Sequence, residues 1–240
     1  MSSQSIFFGT WQPEPLQGPP KCWGKHLSKI TAKPANKADQ VAERREQLLG
    51  ATVTVIARKG LSGITMNDIA VEAGCSYGVV AFHFKSKERL LLAALDMLVE
   101  EYEVLWAKIL APNTATVAQR LQLMIDLDFD KRIAKPKNLA VWMAFWAETS
   151  RVTAYRARCG ELKRRSLASI TELVAALAEA KQLDLPAAQI AFGLYALSDG
   201  CWTFNHVTGE TGPAQREASR RLCYAYMAGF FPDEFTLPAL

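Results

Sequence analysis

The chain has 240 residues, half of them hydrophobic, and a formal net charge of +4. This length can bury a substantial core, the hydrophobic content excludes a chain that is disordered throughout, and no apolar run approaches the roughly 20 residues that span a bilayer. There are five cysteines, an odd number, and they lack metal-ligand spacing, which is typical of reduced thiols. The amino terminus lacks a secretion signal, so we expect a cytoplasmic protein without a membrane partner.

Residues 1–37 are predicted to form a flexible extension. They contain five prolines and carry five lysines against one glutamate, a net charge of +4, whereas residues 38–95 carry +1 and residues 96–240 carry −1. Positive charge at this end suits a surface that faces nucleic acid. A basic arm could reach into a minor groove beside a DNA-reading helix, but an inert tail or an unused upstream start codon is the simpler interpretation.

A first helix is predicted over residues 38–59, where apolar side chains recur at three- and four-residue steps until Gly60. Arg44 and Arg45 near its start could contact phosphate or could be solvated. Residues 65–92 then predict two short helices, a tight turn between them, and the start of a longer helix. The pattern is typical of a helix-turn-helix, in which the second helix reads base edges in the major groove. It also fits any pair of short packed helices.

Local signals mark the ends of these short helices. Thr65, with Asp68 three residues later, predicts a capped start, and Gly74 suits the left-handed residue that ends a helix. Ser76 is expected to cap the second helix. The first turn of that helix is expected to point outward, while Phe82 and its neighbours at positions 80 and 84 pack inward or close the unit.

Residues 65–92, TMNDIAVEAGCSYGVVAFHFKSKERLLL, together with Gly60, resemble the DNA-binding domain of the TetR family of transcriptional repressors. The resemblance covers residues 40 to 95 and implies that the helix from Ser76 to about His83 is the recognition helix. Many relatives place a phosphate-contacting aromatic residue where this chain has Ala81, so Phe82 or His83 would have to replace it. The candidate DNA-binding residues are Thr65, Met66, Ser76, Tyr77, Gly78, Val79, Phe82, His83, Phe84 and Lys87.

A long helix is predicted from Ser86 to about Leu110, with Pro112 and Asn113 ending it. It is too long for the small domain alone and could act as a lever between two sites. Further helices are predicted over 116–131, 139–148, 153–181, 186–207 and 213–230. We therefore predict an all-α fold of about nine helices, with an extension (1–37), a helix-turn-helix domain (38–85) and a ligand-binding and dimerisation domain (86–240).

The tryptophans of the larger domain suggest a ligand site. Trp142 and Trp146 are one helical turn apart, and Tyr195, Asp199 and Trp202 also share one helix face. Two such faces would form an aromatic box with a carboxylate edge, which suits a quaternary ammonium ion because a cation over an aromatic ring gains roughly 0.5–2 kcal/mol. The candidate ligand-binding residues are Trp106, Trp142, Trp146, Glu148, Tyr195, Asp199 and Trp202. Ordinary core or dimer packing is the alternative.

Other chemistry is less favoured. P-loop, dinucleotide-binding and HExxH patterns do not occur, and the three histidines are far apart, so we predict no enzyme, cofactor, catalytic residue or metal site. The basic run at 163–165 is expected to be a solvated face and not a second DNA site.

Residues 139–210, which include WMAFWAETSRVTAYRARCGELKRRSLASI and AFGLYALSDGCWTFNHVTGE, resemble the carboxy-terminal region of BetI-type repressors, the TetR branch that controls choline-to-glycine-betaine genes. The resemblance implies a homodimer whose last two helices form a four-helix interface, and choline or betaine aldehyde as inducer. The long arm departs from that pattern, so a related regulator with a different ligand stays open.

The sequence therefore predicts a dimeric, ligand-responsive repressor of a near-palindromic DNA operator. Two recognition helices would enter successive major grooves, about 34 Å apart or a small multiple of that distance. Two alternatives are kept: a ligand-blind, nucleoid-type DNA binder and a helical enzyme.

Overall fold

The computed structural model describes residues 36–111 and 114–236, and within these ranges all regular secondary structure is helical. Nine helices are present there, as the sequence predicts: α1 (Lys37–Lys59), α2 (Met66–Glu72), α3 (Tyr77–Phe84), α4 (Lys87–Leu110), α5 (Val117–Asp128), α6 (Pro136–Glu148), α7 (Thr153–Ala180), α8 (Ala187–Thr208) and α9 (Pro213–Ala228). The predicted extension up to residue 35 and the predicted stop at residues 112–113 lie outside the described residues.

Helices α1 to α3 and the start of α4 form a small unit with its own core. The Thr65 hydroxyl accepts a hydrogen bond from the Asp68 N–H (3.1 Å), and the Asp68 carboxylate accepts one from the Thr65 N–H (2.9 Å), so the predicted capping of α2 is confirmed. Gly74 has a φ of 62°, as expected for the residue that turns the chain between α2 and α3. The turn chemistry in the sequence thus fixes the angle between these two helices.

Three local predictions are wrong. Ser76 occupies the N-cap position of α3, but its side chain makes no capping hydrogen bond. Phe82 is 65% exposed, because it lies two residues from the buried Val80 and therefore on the opposite side of the helix. Helix α5 ends at Asp128 and not near residue 131, since the Asp130 carboxylate accepts a bond from the Arg132 N–H (2.7 Å) and offers the backbone an alternative to the helix.

Helices α4 to α9 form the larger unit, and two of them also contact the small one. Helix α4 packs against α1 of the small unit and against α5 and α7 of the larger one. The start of α6 also packs on α1, where Lys137 donates a hydrogen bond to the Thr54 hydroxyl. None of the helices that the structure describes is long and apolar enough to cross a membrane.

Helices α8 and α9 approach closely at Gly193. The Tyr226 side chain of α9 lies across α8 there, and its hydroxyl donates a hydrogen bond to the Ile190 carbonyl (3.2 Å). A β-carbon at position 193 would lie 2.0 Å from that hydroxyl oxygen, so this contact requires glycine.

We expect Gly193→Ala to lower the free energy of unfolding by about 1–3 kcal/mol, because the phenol must move and lose its hydrogen bond. Gly50→Ala in α1 is the matched control: nothing lies within 4 Å of its added carbon, so better helix propensity should leave it as stable or stabilise it by up to about 1 kcal/mol. Denaturant unfolding would measure both. Equal effects of the two substitutions would contradict the assigned packing of α8 on α9.

Candidate functional site

A partly open cavity of about 30 Å³ lies in the larger unit, between α4, α5, α6, α7 and α8. Its walls combine aromatic rings with two carboxylates and one ammonium group. The lining residues are Tyr102, Asp128, Trp142, Trp146, Cys159, Leu162, Lys163, Tyr195, Ser198, Asp199 and Trp202.

Indole rings from two helices form the apolar side of the cavity. Trp146 of α6 stacks on Trp202 of α8, with ring centroids 6.3 Å apart and planes 12° from parallel. Trp142 lies one turn before Trp146, with centroids 6.2 Å apart, and Tyr195 and Asp199 join from α8. The structure therefore brings together five of the seven predicted ligand-binding residues, and their role in binding stays a prediction.

The other two predicted residues lie elsewhere. Trp106 is buried one turn beyond Tyr102 on α4, in an adjacent apolar cavity and not in this one. Glu148 pairs with Arg151 outside the cavity, at 3.5 Å. It follows Trp146 by two residues, about 200° further around α6, so the face that presents the indoles cannot present Glu148 as well.

A buried carboxylate at the end of α5 is absent from the residues predicted from the sequence. Asp128 accepts hydrogen bonds from the Tyr102 hydroxyl (2.7 Å) and the Ser198 hydroxyl (2.7 Å), and its main-chain carbonyl accepts one from the Trp202 indole (3.0 Å). Protein encloses the carboxylate except on the cavity side, and this burial raises its pKa to about 6, while burial and the adjacent carboxylate raise the pKa of Tyr102. Its only signal in the sequence is an acid between two large apolar residues, Leu127 and Phe129.

The basic run at 163–165 is not uniformly solvated, which corrects a prediction. Arg164 and Arg165 pair with Glu161 at the surface, whereas Lys163 turns inward and pairs with Asp199. Consecutive residues of a helix lie about 100° apart, so three in a row cannot share one environment. Lys163 Nζ lies 4.0 Å from the Trp146 ring centroid and 5.3 Å from that of Tyr195.

The charges that line the cavity do not balance. Asp128 and Asp199 bring two carboxylates and Lys163 one ammonium, which leaves one negative charge when all three are ionised. A monocation that touched the ring faces would neutralise the excess and gain cation–π contacts. Among the described residues, no group of three or more His, Cys, Asp or Glu side chains could hold a metal ion.

The predicted DNA-binding residues divide by exposure. Tyr77 and Phe82 project from α3, with 56% and 65% of their surfaces exposed. Met66 and Phe84 are buried in the core of the small unit, where their side chains position α2 and α3, and a direct role of these two residues in DNA binding stays a prediction. The others are exposed or half-buried and stay predictions: Thr65, Ser76, Gly78, Val79, His83 and Lys87.

Cationic side chains flank α3. Arg45 lies over the Phe84 ring, with its guanidinium 5.3 Å from the centroid, and Lys85 lies 5.5 Å from that of Phe82. Burial, Arg44 and Arg45 lower the pKa of His83. The acids of α2 are already paired, since Asp68 contacts Lys59 at 2.7 Å and Glu72 contacts Arg58 at 3.3 Å. The surface around α3 therefore has a positive excess, which suits phosphate.

Residues 74–78, GCSYG, have the Gly-x-Ser-x-Gly spacing of hydrolase nucleophile elbows. In those enzymes the serine joins a strand to a helix, whereas here it joins α2 to α3. The pentapeptide is therefore the turn of the helix-turn-helix, and its first glycine has the positive φ that the turn needs.

Two family models match the chain. Residues 48–94 match the model described as bacterial regulatory proteins, tetR family, and residues 117–232 match the model described as BetI-type transcriptional repressor, C-terminal. The first covers the small unit from α1 to α4, and the second covers all of the helices from α5 to α9.

Relatives and solved structures agree with these models. The chain is 32% identical to the HTH-type transcriptional regulator BetI of Stenotrophomonas maltophilia over 77% of this chain and 91% of that one. It is 33% identical to BetI of Paraburkholderia phymatum with the same coverage. A putative transcriptional regulator from Saccharomonospora viridis, solved in complex with choline, is 25% identical with a TM-score of 0.65 and covers 78% of this chain and 96% of its own.

We expect Asp128→Asn to stabilise the unliganded protein by about 1–3 kcal/mol above pH 6, because it removes a buried charge while its amide can still bond to both hydroxyls. The Asp128 carboxyl has a pKa of about 6 when folded and about 3.8 when unfolded, so the advantage should shrink as the pH falls from 6 to 4 and vanish below.

Asp130→Asn is the matched control. Its partner Arg132 lowers the pKa of the Asp130 carboxyl, so the wild-type acid stabilises the fold at neutral pH and this substitution should destabilise it slightly. Urea unfolding at several pH values would measure both. A gain for Asp128→Asn that did not depend on pH would contradict the buried, charged state of Asp128.

Proposed function

Because the chain belongs to the TetR family of transcriptional regulators, in its BetI-type branch, we propose that it is a homodimeric repressor that a quaternary ammonium compound releases from its operator. DNA binding and transcriptional regulation follow from the family itself, and its named relatives are regulators and not enzymes. The effector and the dimer are the parts that we propose. Such a repressor would act in the cytoplasm, where bacterial operators lie.

The unbalanced, aromatic cavity is the observation that supports the effector class. Choline and betaine aldehyde each carry one positive charge without a hydrogen-bond donor on nitrogen, which matches one excess negative charge among ring faces. The two hydrogen bonds of Asp128 come from hydroxyl groups, so its charge remains available to a ligand. The similar regulator from Saccharomonospora viridis was solved with choline, which favours the same class here.

The exposed faces of α8 and α9 support the homodimer. The α8 face lacks charge, the α9 face has Arg221 at one edge, and both combine large apolar side chains with small ones that allow close helix approach, as in subunit interfaces. On α8 the face contains Phe192, Ala196, Gly200, Phe204 and Val207, and on α9 it contains Ala214, Ala218, Leu222, Ala225 and Gly229. Two copies packed on these faces would form a four-helix interface.

Two helices can carry a change at the cavity to the DNA-reading unit. Helix α6 bears Trp142 and Trp146 and contacts α1 through Lys137 at its start. Helix α4 bears Tyr102 and also packs on α1. A ligand releases the operator if it binds more tightly to a conformation in which the two recognition helices have a different separation. The loss of operator affinity then equals the ratio of the ligand's affinities for that conformation and for the DNA-binding one.

We expect Tyr77→Ala to weaken operator binding by about tenfold, because a specific base contact is worth roughly 1–3 kcal/mol, and to leave the dimer intact. Leu123→Ala, another exposed apolar residue, lies on α5 and should not change binding. Fluorescence anisotropy with DNA from upstream of the chain's own gene, at fixed salt, measures affinity, and light scattering measures the dimer. Unchanged affinity would contradict the assignment of α3 as the recognition helix.

We expect choline or betaine aldehyde to release the operator from the wild-type protein, and Asp128→Asn to raise the effector concentration needed by at least about tenfold, because a charged hydrogen-bonding group is worth roughly 1.5–3 kcal/mol. Asp130→Asn, whose side chain pairs with Arg132 outside the cavity, is the matched control and should respond like wild type. Titration of the protein–operator complex measures this. Tight operator binding that neither compound affects would keep the repressor and reject the effector.

A further inference from the structure

The place that the cavity offers to a cation is already occupied by a side chain of the protein. Lys163 reaches from α7 to within 4.0 Å of the Trp146 ring centroid and 5.3 Å of that of Tyr195. Its ammonium group also pairs with Asp199. These are the contacts that a cationic ligand would make, namely ring faces on one side and a carboxylate on the other.

Lys163 lies between this inner cavity and a wider, more open cleft. Lys163, Trp146, Cys159 and Asp199 border both spaces, and the outer cleft, also lined by Thr203, has a volume of about 430 Å³. The inner cavity, at about 30 Å³, has room for about two water molecules. A trimethylammonium group does not fit there while Lys163 stays in place.

We propose that Lys163 is a tethered competitor of the effector: its ammonium group fills the aromatic cage of the unliganded protein, and a quaternary ammonium ion binds by displacing it into the outer cleft. This inference rests on the proposed function and specifies how the same site is regulated. It assigns to Lys163 a role in the unliganded state and not in the bound one.

The chemistry of the two cations favours this exchange. A primary ammonium is compact, strongly hydrated and has three donors, so it regains hydrogen bonds to water when it moves into the cleft. A quaternary ammonium has no donor and is held by ring faces. The Lys163 and Asp199 side chains are 31% and 36% exposed, so the pair borders solvent and can open towards it. The bound effector then takes the place of Lys163 over the ring faces, and because Asp199 also borders the outer cleft, the displaced ammonium stays near that carboxylate and preserves the charge balance of the site.

The tether also sets the effector concentration at which the site responds. The apparent dissociation constant equals the intrinsic one divided by the fraction of molecules whose cage is empty, and the lysine keeps that fraction small. Free primary amines must compete with an identical group that is held at high effective concentration, so they bind poorly. Because this factor is the same for every competing cation, a preference for quaternary over primary ammonium ions comes from the stronger contact of the quaternary group with the ring faces.

The test compares the full-length wild type with Lys163→Met, which shortens the side chain by one atom and removes its charge. We expect choline and tetramethylammonium to bind Lys163→Met about 3- to 30-fold more tightly, which corresponds to the removal of one competing cation–π contact. Arg164→Met is the matched control, because its guanidinium pairs with Glu161 outside both spaces. Isothermal titration calorimetry at fixed pH and salt measures each affinity.

Each outcome of the titrations distinguishes the inference from the proposed function. Weaker or equal binding of choline to Lys163→Met would overturn the competitor role and leave the proposed effector intact. If Lys163→Met lost binding of glycine betaine, titrated in the same way, but not of choline, the competitor role would also be overturned, because Lys163 would then hold the carboxylate of the ligand. Binding to Lys163→Met but not to wild type would support it strongly. No binding to either protein would reject the proposed effector class, and the competitor role with it.

A second measurement needs no variant that might unfold the cage. In wild-type protein labelled with ¹³C at lysine ε-carbons, stacking on Trp146 should shift the Lys163 methylene signal upfield through the ring current. Saturating choline should return the signal to the range of solvated lysines. An unshifted signal in the unliganded protein, or a shift that persists with bound choline, would overturn the proposal.

Discussion

The carboxylate of Asp128, enclosed where α4, α5 and α8 meet, is the group on which the larger unit depends. The carboxylate accepts one hydrogen bond from a hydroxyl of α4 and one from a hydroxyl of α8. The main-chain carbonyl of Asp128 accepts a third hydrogen bond, from the Trp202 indole. Burial of this charge raises the pKa of the Asp128 carboxyl and lowers the free energy of unfolding. An apolar residue in the same place would not carry this cost. A protein that keeps such a group in its core gives up stability for a polar site, as ligand sites commonly do. The same three bonds also fix the position of Trp202, and through it the ring that stacks on Trp202.

The position of the cavity explains how it can influence a distant surface. Its tryptophan wall belongs to α6, whose first turn touches α1, and Tyr102 belongs to α4, which continues into the small unit. A rearrangement of the cage therefore moves elements that already contact the DNA-reading unit. The long α4 was the lever expected from the sequence, but α6 offers a second and shorter connection. Its contact with α1 depends on tertiary packing between residues more than 80 positions apart, which no local pattern predicts.

The occupied cage gives a physical reason for selectivity. An aromatic box with two carboxylates would attract many cations, and primary amines are abundant in cells. A lysine held in the box by Asp199 and two rings raises the concentration threshold for all of them by the same factor, so only a cation with a high intrinsic affinity for the ring faces still binds. A quaternary ammonium differs in its hydration and lack of donors, so it has the most to gain from the ring faces. Because Lys163 must leave the cage first, the measured affinity for the effector is the difference between the binding free energies of the effector and of the lysine.

The sequence by itself determined the features that local chemistry controls. Capping by Thr65 and Asp68, the positive φ of Gly74 and the spacing of the tryptophans act over one or two helical turns, so they can be predicted without knowing any long-range contact. Only the tertiary structure decided which faces of the helices are enclosed. It buried Met66 and Phe84, left Glu148 outside the cavity, turned Lys163 inward beside two solvated arginines, and selected Asp128 as the buried acid. These outcomes depend on which distant helix packs against each face. The local sequence does not contain that information, because neighbouring residues of the same chemical type, such as Lys163 and the two arginines that follow it, look alike until the packing is known.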